Sequence, residues 1–442
     1  MLVIPGIDPS YFDKDSRQIT ARIDIYFDGF ENEPLEIYPS NYLVDFEITE
    51  EAGAETKNPL GAISANELSF TLTNFDNIFS PTNTAGPYYG KITTGVMIKV
   101  WLKPDEESTT SWIPMGVFFV VNWQCKMGSE LADILCTDTM QELLLAPIPD
   151  LDVRLNISFA AYFTYVLHGY GFLNAQIDSS LVDILPYGFI SSDNSSEFMQ
   201  ALTEASISSL LASRYGIITV KKIARNGTVA TFTDADQIMS VDVEQSILKT
   251  YSGVKLGYVL PQLSDDKEVL VVEAMPIPAG RTTHNAIRYP EPVFDISAVT
   301  LSGNIVAEVD AYTSTNFSVN VTTMLEGTDN ASMRLSVTGK NIDLVEQELS
   351  DNLTNMLDIS NVYIQSSLYA EEYKDRLSTF VSSEIPILEV NIRGNPLLEI
   401  GDTIQLNSDS YEIAFTGIIK RMTFKYNGAL SCSMTLLNAE VV

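Results

Sequence analysis

The stretch that most constrains the fold is a pair of alternating segments in the first third of the chain. Leu68, Phe70 and Leu72 alternate with serine and threonine, which is the period-2 pattern of a strand with one buried face. The pattern stops at residues 74–77 and resumes over residues 96–102. Two strands therefore flank a loop rich in proline, glycine and aromatic residues, and we expect the chain to begin as a β domain.

The next predicted strand, residues 117–123, is apolar on both faces. Such a strand is buried on both faces, either inside a closed sheet or against another subunit. A hairpin with residues 131–137 would place Trp123 opposite Ile134, Val121 opposite Cys136 and Cys125 opposite Ala132. This register separates Cys125 from Cys136, so we expect all three cysteines of the chain, with Cys432, to be free core thiols.

Capping residues predict three helices in the middle of the chain. Asp138 opens a short helix that closes before Pro147, and Ser158 opens one that runs to Gly169. A third begins at Asn194, continues through Leu210 and ends at Gly216. Residues 217–232 should then fold back as a hairpin about Asn226-Gly227.

The second half of the chain is mostly extended in its pattern. The predicted strands are 251–260, 269–275, 298–309, 316–323, 334–338, 385–392 and 404–406. An apolar stripe from Leu344 to Leu357 predicts a helix, and Ser367 to Phe380 predicts a second one.

The last hairpin has two possible registers. A three-residue loop over residues 426–428 pairs Phe424 with Leu430 and is preferred, because a two-residue loop would set Lys425 across from an apolar side chain.

Length and charge limit the classes of function. A chain of 442 residues suggests about three domains. With 26 basic and 58 acidic residues, the formal charge of −32 repels phosphate, so binding to DNA by charge neutralisation is not expected. The N-terminus lacks a signal peptide pattern, and no apolar run reaches the ~18 residues of a membrane span, so we expect a soluble protein made in the cytoplasm.

Catalytic motifs are not evident in the sequence. The two histidines, His168 and His284, lie outside any zinc motif, and no nucleophile elbow, P-loop or dinucleotide fingerprint occurs. His168 falls at a predicted helix end, where it would serve the helix dipole. The pairs Asp150/Asp152 and Asp234/Asp236 could bind calcium or cleave glycosides, but solvated turns are the commoner reason for such spacings. Neither an enzyme nor a cofactor is expected.

The order of these segments resembles the baseplate hub proteins of phage tails, including the hub part of tail-associated lysins. The matching segments are 68–72, 79–81, 89–91, 95–100, 116–120, 137–144, 337–340 and 394–402. The positions that carry the motifs are Leu68, Phe70, Leu72, Phe79, Ser80, Pro81, Gly90, Gly116, Asp138, Gly339, Pro396, Gly401 and Asp402. Longer family members continue into peptidase or receptor-binding domains, and those activities are not expected here.

The resemblance implies a mainly β (β+α) fold with two tail-tube-like β-barrel domains and an inserted α+β domain. The expected segments are a barrel at 1–147, an α+β domain at 148–236, a second β domain at 237–341, a helical segment at 342–383 and C-terminal strands at 384–442 that complete the second barrel. It also implies a homotrimeric hub in the virion that joins the sixfold tail tube to the threefold tip. Partners would be a tube or distal tail protein, the tape-measure protein and a tip spike or fibre, with genomic DNA passing through unbound.

Two other functions stay open at this point. Tyr88, Tyr89 and Trp112 could form a sugar-binding platform of a tail fibre or adhesin, although ordinary loop packing explains them equally. A glycoside or peptidoglycan hydrolase built on Asp150 and Asp152 is the third hypothesis.

Overall fold

A computed structural model of the chain confirms the mainly β class. It describes residues 1–14, 16–52, 60–105, 110–126, 130–234, 238–242, 251–327, 331–351, 353–383 and 387–440. The helices are α1 (Thr139–Leu145), α2 (Phe159–Gly169), α3 (Ser195–Ala205) and α4 (Ser367–Ser382), with short 3-10 turns at Pro9–Asp13 and Phe75–Asn77.

The strands follow in two groups. Those of the first half are β1 (Ile19–Tyr26), β2 (Leu35–Ile37), β3 (Leu43–Glu51), β4 (Ala62–Ile63), β5 (Glu67–Thr73), β6 (Met97–Pro104), β7 (Ile113–Cys125), β8 (Leu131–Asp138), β9 (Arg154–Ser158), β10 (Gln176–Ile177), β11 (Ile184–Gly188), β12 (Ser208–Ala212), β13 (Ile218–Lys222) and β14 (Ala230–Thr233). Those of the second half are β15 (Ile238–Asp242), β16 (Gly253–Leu263), β17 (Lys267–Ile277), β18 (Gly280–Arg288), β19 (Val293–Ser302), β20 (Ala307–Ser314), β21 (Ser318–Leu325), β22 (Ala331–Ser350), β23 (Met356–Ser360), β24 (Ile387–Ile392), β25 (Thr403–Ser408), β26 (Ile413–Tyr426) and β27 (Leu430–Asn438).

One 13-stranded sheet joins the two ends of the chain. Its N-terminal part has the order β3-β5-β8-β7-β6-β1-β2, and its C-terminal part continues from β3 as β26-β27-β24-β15. The seam is the antiparallel pairing of β26 with β3, from Arg421 opposite Glu51 to Tyr426 opposite Phe46. Phe46 and Tyr426 stack across it with ring centroids 5.4 Å apart. The β units predicted at the two ends are therefore halves of one sheet over one shared core.

The predicted alternation forms this core. Leu68, Phe70 and Leu72 on β5 are at most 2% exposed, whereas the serine and threonine residues between them face outward. Burial of each such apolar side chain stabilises the fold by about 1.5–3 kcal/mol. Strand β5 thus has one buried face, as the sequence predicts.

A second core lies between the helices and the smaller sheets, and a third inside a β sandwich. Helix α2 packs on β9, β10 and β11, α3 packs on β4 and β12, and α4 packs on β16. In the sandwich, β17-β22-β19 face β18-β21-β20. The 20-residue strand β22 belongs to both regions, because its first half lies between β17 and β19 and its second half pairs with β16.

The predicted helix over Leu344 to Leu357 is wrong. Residues up to Ser350 are part of β22, and residues from Met356 form β23. The apolar stripe does not become one buried face, since Val345 is 40% and Leu353 46% exposed. Pairing with β16 over nine residues decides the conformation, so tertiary contacts override the helical period. The predicted helix from Ser367 is confirmed as α4.

The helix that begins at Asn194 ends at Ala205, not at Gly216. Residues 208–212 are strand β12, whose five residues are all buried between β13 and β4. A short strand buried on both faces has a continuous apolar pattern, which periodicity cannot distinguish from a helix. The preceding residue, Ile207, has a positive φ of 49° that breaks the helix.

The predicted hairpin about Asn226-Gly227 is also wrong. Strand β13 pairs with β12 and β10, whereas β14 runs parallel to β25 in the large sheet. The backbone N–H groups of Asn226 and Val229 donate to the side chain and the carbonyl of Thr403. Contacts with a strand almost 180 residues away thus replace the local turn. The predicted strand over 298–309 is likewise divided, into β19 and β20.

The hairpin registers are correct in part. Trp123 lies opposite Ile134 and Cys125 opposite Ala132, as predicted, but a bulge after Val120 places that residue, not Val121, opposite Cys136.

In the last hairpin Tyr426 pairs with Leu430 and Phe424 with Cys432, so the loop is residues 427–429. The preferred register was therefore wrong by two positions. A shift of two leaves each side chain on its predicted face, since the side-chain period is two. All three cysteines are free, with Cys136 and Cys432 buried and Cys125 half-buried.

Candidate functional site

A buried ion pair links three separate parts of the chain. Arg214, in the loop after β12, donates through Nε to Glu50 Oε1 at 2.6 Å and through a terminal nitrogen to Oε2 at 3.0 Å. Both residues are only 5% exposed. Burial lowers the pKa of Arg214, but the Glu50 carboxylate outweighs it, so the pKa lies above its ordinary value and the guanidinium stays charged.

The same guanidinium also holds the C-terminal part of the large sheet. It donates to the backbone carbonyl of Pro396 and, at 2.7 Å, to that of Leu398. Its carbon lies 5.5 Å from the ring centroid of Phe424 on β26. We call Arg214, Glu50 and residues 396–398 the buried junction, because a single side chain there satisfies groups from both halves of the sheet.

Asp138 stands beside this junction and serves as the cap of α1. Its carboxylate accepts from the backbone N–H of Met140 at 2.9 Å and from that of Asn66 at 3.0 Å. The Asn66 side chain accepts from the N–H of Glu51 and donates to the carbonyl of Ala212. Burial raises the pKa of Asp138 to about 7, although both backbone hydrogen bonds oppose the change.

Gly401 and Asp402 form the predicted tight turn. Gly401 has a positive φ of 87°, and its N–H donates to the carbonyl of Ile419. Asp402 accepts from the backbone N–H of Glu399 at 2.8 Å and from the N-terminal ammonium of Met1 at 2.5 Å. The predicted positions Asp138, Pro396, Gly401 and Asp402 therefore belong to connected networks around the two halves of the sheet.

The loop between β5 and β6 is anchored by stacked aromatic rings. Phe79 is fully buried; its N–H donates to Asn74 Oδ1, and its carbonyl accepts from the Trp123 indole at 3.0 Å. Tyr88 stacks on Phe79 at 5.4 Å and on Phe27 at 4.8 Å. The remaining loop positions Ser80, Pro81 and Gly90 lie at the surface, in turns that follow this cluster.

The aromatic residues that suggested a sugar platform are mostly engaged. Tyr88 is held in the stack, and Trp112 lies under the Arg22 guanidinium at 4.5 Å and the Lys103 ammonium at 5.2 Å. Tyr89 is 52% exposed. Three coplanar open rings are therefore not presented together.

Two of the predicted glycines lie where a side chain cannot fit. A Cβ on Gly116, which has a φ of +145°, would lie 2.3 Å from the Phe118 ring. A Cβ on Gly339, in the middle of β22, would lie 2.1 Å from the carbonyl oxygen of Asp295 on β19. Both glycines allow close strand packing, one in the large sheet and one in the sandwich.

The candidate catalytic residues do not converge. Asp150 accepts from Asn320 at 3.2 Å, and Asp234 accepts from the backbone N–H of Ser410 at 2.7 Å. Asp236 lies outside the described residues. His168 is exposed in the last turn of α2, and His284 lies on β18 near Thr323, where burial lowers its pKa. In the part of the chain that the structure describes, no three His, Cys, Asp or Glu side chains could hold a metal ion.

The helices also carry no sign of membrane insertion: none within the described ranges has both the length and the apolar composition to cross a bilayer.

Two solved structures of tail proteins align with this chain over almost its whole length. The 43 kDa tail protein of prophage MuSo2 from Shewanella oneidensis has a TM-score of 0.54 at 10% identity, over 96% of this chain and 99% of that one. The chain has the fold of phage tail proteins. The tail protein from Neisseria meningitidis MC58 also aligns, with a TM-score of 0.54 at 9% identity, over 95% and 97% of the two chains. The resemblance predicted from the residues is thereby confirmed at the level of the fold.

Neither protein-family models nor curated protein sequences give a match.

The central residues of the junction were missed by the sequence analysis. Arg214, Glu50 and Asn66 stand in no recognisable motif, and each is polar within a mainly apolar surrounding. The one available signal was Arg214 itself, a cation between the apolar segments 207–212 and 217–220 in a chain with few basic residues.

Proposed function

We propose that this chain is a structural protein of a phage tail, a trimeric baseplate hub that joins the sixfold tail tube to the threefold tip. The observation that carries the proposal is the pairing of β26 with β3, which fuses two β units of one chain side by side in a single sheet. Three such chains would present six β units in a ring. This is a direct way for a threefold assembly to meet a sixfold one.

The proposal keeps residues 1–147 as one tube-like unit and most of residues 237–442 as the other, of which strands β15 and β24 to β27 belong to the large sheet. Residues 148–236 would form the α+β region between them, and residues 342–383 would contribute the second half of β22, β23 and the helix α4. The buried junction supports this arrangement, because it joins both units through a residue of the inserted region, Arg214. A hub must keep its two units in a fixed relative orientation. A buried charge that is paired and hydrogen-bonded favours a single arrangement of the groups around it.

Charge supports a channel for DNA. Three copies carry a formal charge of three times −32, that is −96. An acidic wall repels a polyanion, so genomic DNA could pass without adhering. The expected partners are a tube or distal tail protein, the tape-measure protein and a tip spike or fibre, in a virion assembled in the cytoplasm of a bacterial host. The role is structural, with no enzymatic step.

Light scattering on the purified chain tests the proposal. We expect a species of three times 48.8 kDa, about 146 kDa, at high protein concentration. Because the copies are strongly acidic, raising the salt concentration should increase the trimer fraction by screening their repulsion. A mass of 48.8 kDa at every protein and salt concentration, without binding to a tail-tube protein, would refute the hub.

A further inference from the structure

The β sandwich has an open seam between two consecutive strands. Strands β17 and β18 are joined by residues 278–279 but belong to different sheets. Across the described ranges, β17 forms a ladder only with β22, and β18 only with β21. Each therefore presents one free edge to the seam, with backbone groups that another strand could pair with.

The free edge of β17 has a regular apolar centre. Register shifts occur between Glu268 and Leu270 and between Val272 and Met275, and Pro276 follows near the end. Bulges and prolines are devices that protect strand edges from pairing. Between them, residues 270–272 form an undistorted ladder with β22, and Val271 is 37% exposed.

A cleft of about 440 Å³ opens at the same place, lined by residues 268–271 of β17, by the last residue of β18, Arg288, and by residues 289–290 that follow it. Tyr289 in its wall is 4% exposed, and its hydroxyl has no hydrogen-bond partner among the residues that the structure describes. Burial raises the pKa of Tyr289, so the hydroxyl stays protonated and can donate. A buried hydroxyl without a partner is costly, which points to a missing acceptor.

The other charged groups of the cleft favour an anionic acceptor. The Glu268 carboxylate already accepts from Ser336 Oγ at 2.6 Å and lies 3.5 Å from Arg334. Arg288 is exposed and makes no ion pair with any side chain in the described ranges. The groups left over at the cleft are thus two donors, one of them cationic, which match a carboxylate.

We propose that this seam binds an extended peptide segment of another protein, which pairs with the edge of β17 over residues 270–272 and places a carboxylate against Arg288 and Tyr289. Main-chain hydrogen bonds would give the affinity, and the carboxylate would fix the register, as in other cases of β-strand addition. The site goes beyond the hub assignment and does not depend on the trimer.

A displayed library of random peptides of about eight residues provides the probe, selected on the full-length chain and measured afterwards by fluorescence anisotropy. We expect the selected peptides to share an aspartate or glutamate at one position. Replacing that residue by its amide should weaken binding about tenfold, since a charge-assisted pair is lost. Methylating alternate backbone nitrogens should abolish binding, because the added strand can no longer donate.

Three variants of the chain locate the site. Arg288→Gln should weaken binding about tenfold and Tyr289→Phe several-fold, whereas Arg281→Gln should leave it unchanged. Arg281 is the matched control, since it also lies on β18 but is paired with Asp310 at 2.5 Å. Tyr289→Phe keeps the core ring and removes only the unpartnered hydroxyl, so it should melt at the same temperature or higher.

The proposal would be overturned if no selected peptide bound the wild-type chain more tightly than it bound the Arg288→Gln variant. Equal binding by the N-methylated peptides would do so as well, because it would show that no strand is added. Binding of a glycan or of a second copy at the seam, in place of the peptides, would also reject it. None of these results changes the expected trimer mass, so the two proposals fail separately.

Discussion

The large sheet and the sandwich are both made of β-strands, but they differ in the size of the core that they bury. In the described part of the chain, the large sheet has a core of 44 buried apolar side chains, and the buried charge at its centre, Arg214, is paired and hydrogen-bonded. In the same described residues, the core of the sandwich has 11 buried apolar side chains. Its strands β17 and β18 have free edges there, and the hydroxyl of Tyr289 lacks a hydrogen-bond partner.

This difference separates a framework from a contact region. Extensive burial gives a region with one geometry, whereas few buried contacts give a region that can open locally or accept a partner. If the proposed hub and peptide site are correct, the large sheet would hold the form of the assembly and the sandwich would meet other chains. Substitutions matched between the two regions can test the comparison.

Removing the buried cation should have the largest effect. Arg214→Met leaves Glu50 buried and unpaired, and we expect the large-sheet region to lose about 3–5 kcal/mol of unfolding free energy. The control is Lys425→Met on β26, whose ion pair with Glu47 on β3 spans 2.9 Å but is 60% and 42% exposed. Loss of an exposed pair of this kind should cost at most about 1 kcal/mol. Denaturant titration followed by tryptophan fluorescence measures the loss of unfolding free energy in both variants. Equal losses would show that the buried junction stabilises the sheet no more than an exposed ion pair does.

The two crowded glycines should separate the regions. Gly116→Ala forces a Cβ against the Phe118 ring, and Gly339→Ala forces one against the Asp295 carbonyl; each should cost about 1–3 kcal/mol. Gly116→Ala should lower the unfolding free energy of the large sheet, and Gly339→Ala should lower that of the sandwich. Hydrogen exchange of the backbone amides in each region measures both. Gly90→Ala is the control for positive φ alone, since nothing lies within 4 Å of its Cβ. A single common transition lowered by both variants would show that the regions do not unfold separately.

Asp138 should make the stability of the large-sheet region depend on pH. Its pKa is about 7 in the folded chain and near the ordinary aspartate value of 3.8 in the unfolded chain. Between these values the folded chain binds more protons than the unfolded one, so stability should fall as pH rises from about 4 to about 7 and level off above that. Denaturation midpoints across this range, compared with those of Asp138→Asn, measure the effect. The wild-type midpoint should decline relative to the variant; parallel curves would contradict it.

The smallest change is expected at Tyr289. Tyr289→Phe removes a hydroxyl without a partner in the described chain, and the free energy of unfolding of the sandwich should stay within about 1 kcal/mol or rise. A matched change at Tyr363→Phe removes a hydroxyl that donates to the Phe189 carbonyl at 2.6 Å, and should destabilise the helical region instead. Thermal melting of both variants gives the comparison. A clear loss at Tyr289 would mean that its hydroxyl has a partner in solution.

Local signals in the sequence determined much of the secondary structure. The alternation at Leu68, Phe70 and Leu72 predicts β5, and the caps Asp138, Ser158 and Asn194 predict the starts of three helices. These signals work because side-chain period and capping act within a few residues. The motif order also led to the fold of phage tail proteins.

Only the tertiary structure decided which strands meet. The pairing of β26 with β3 joins residues about 375 positions apart, and the second half of β22 is a strand because β16 pairs with it against a helical pattern. Glu50 and Arg214 have no local feature that marks them as partners, since their meeting depends on that same sheet. Period and capping are properties of neighbours in the chain, whereas strand pairing and buried charge are set by the free energy of the whole fold.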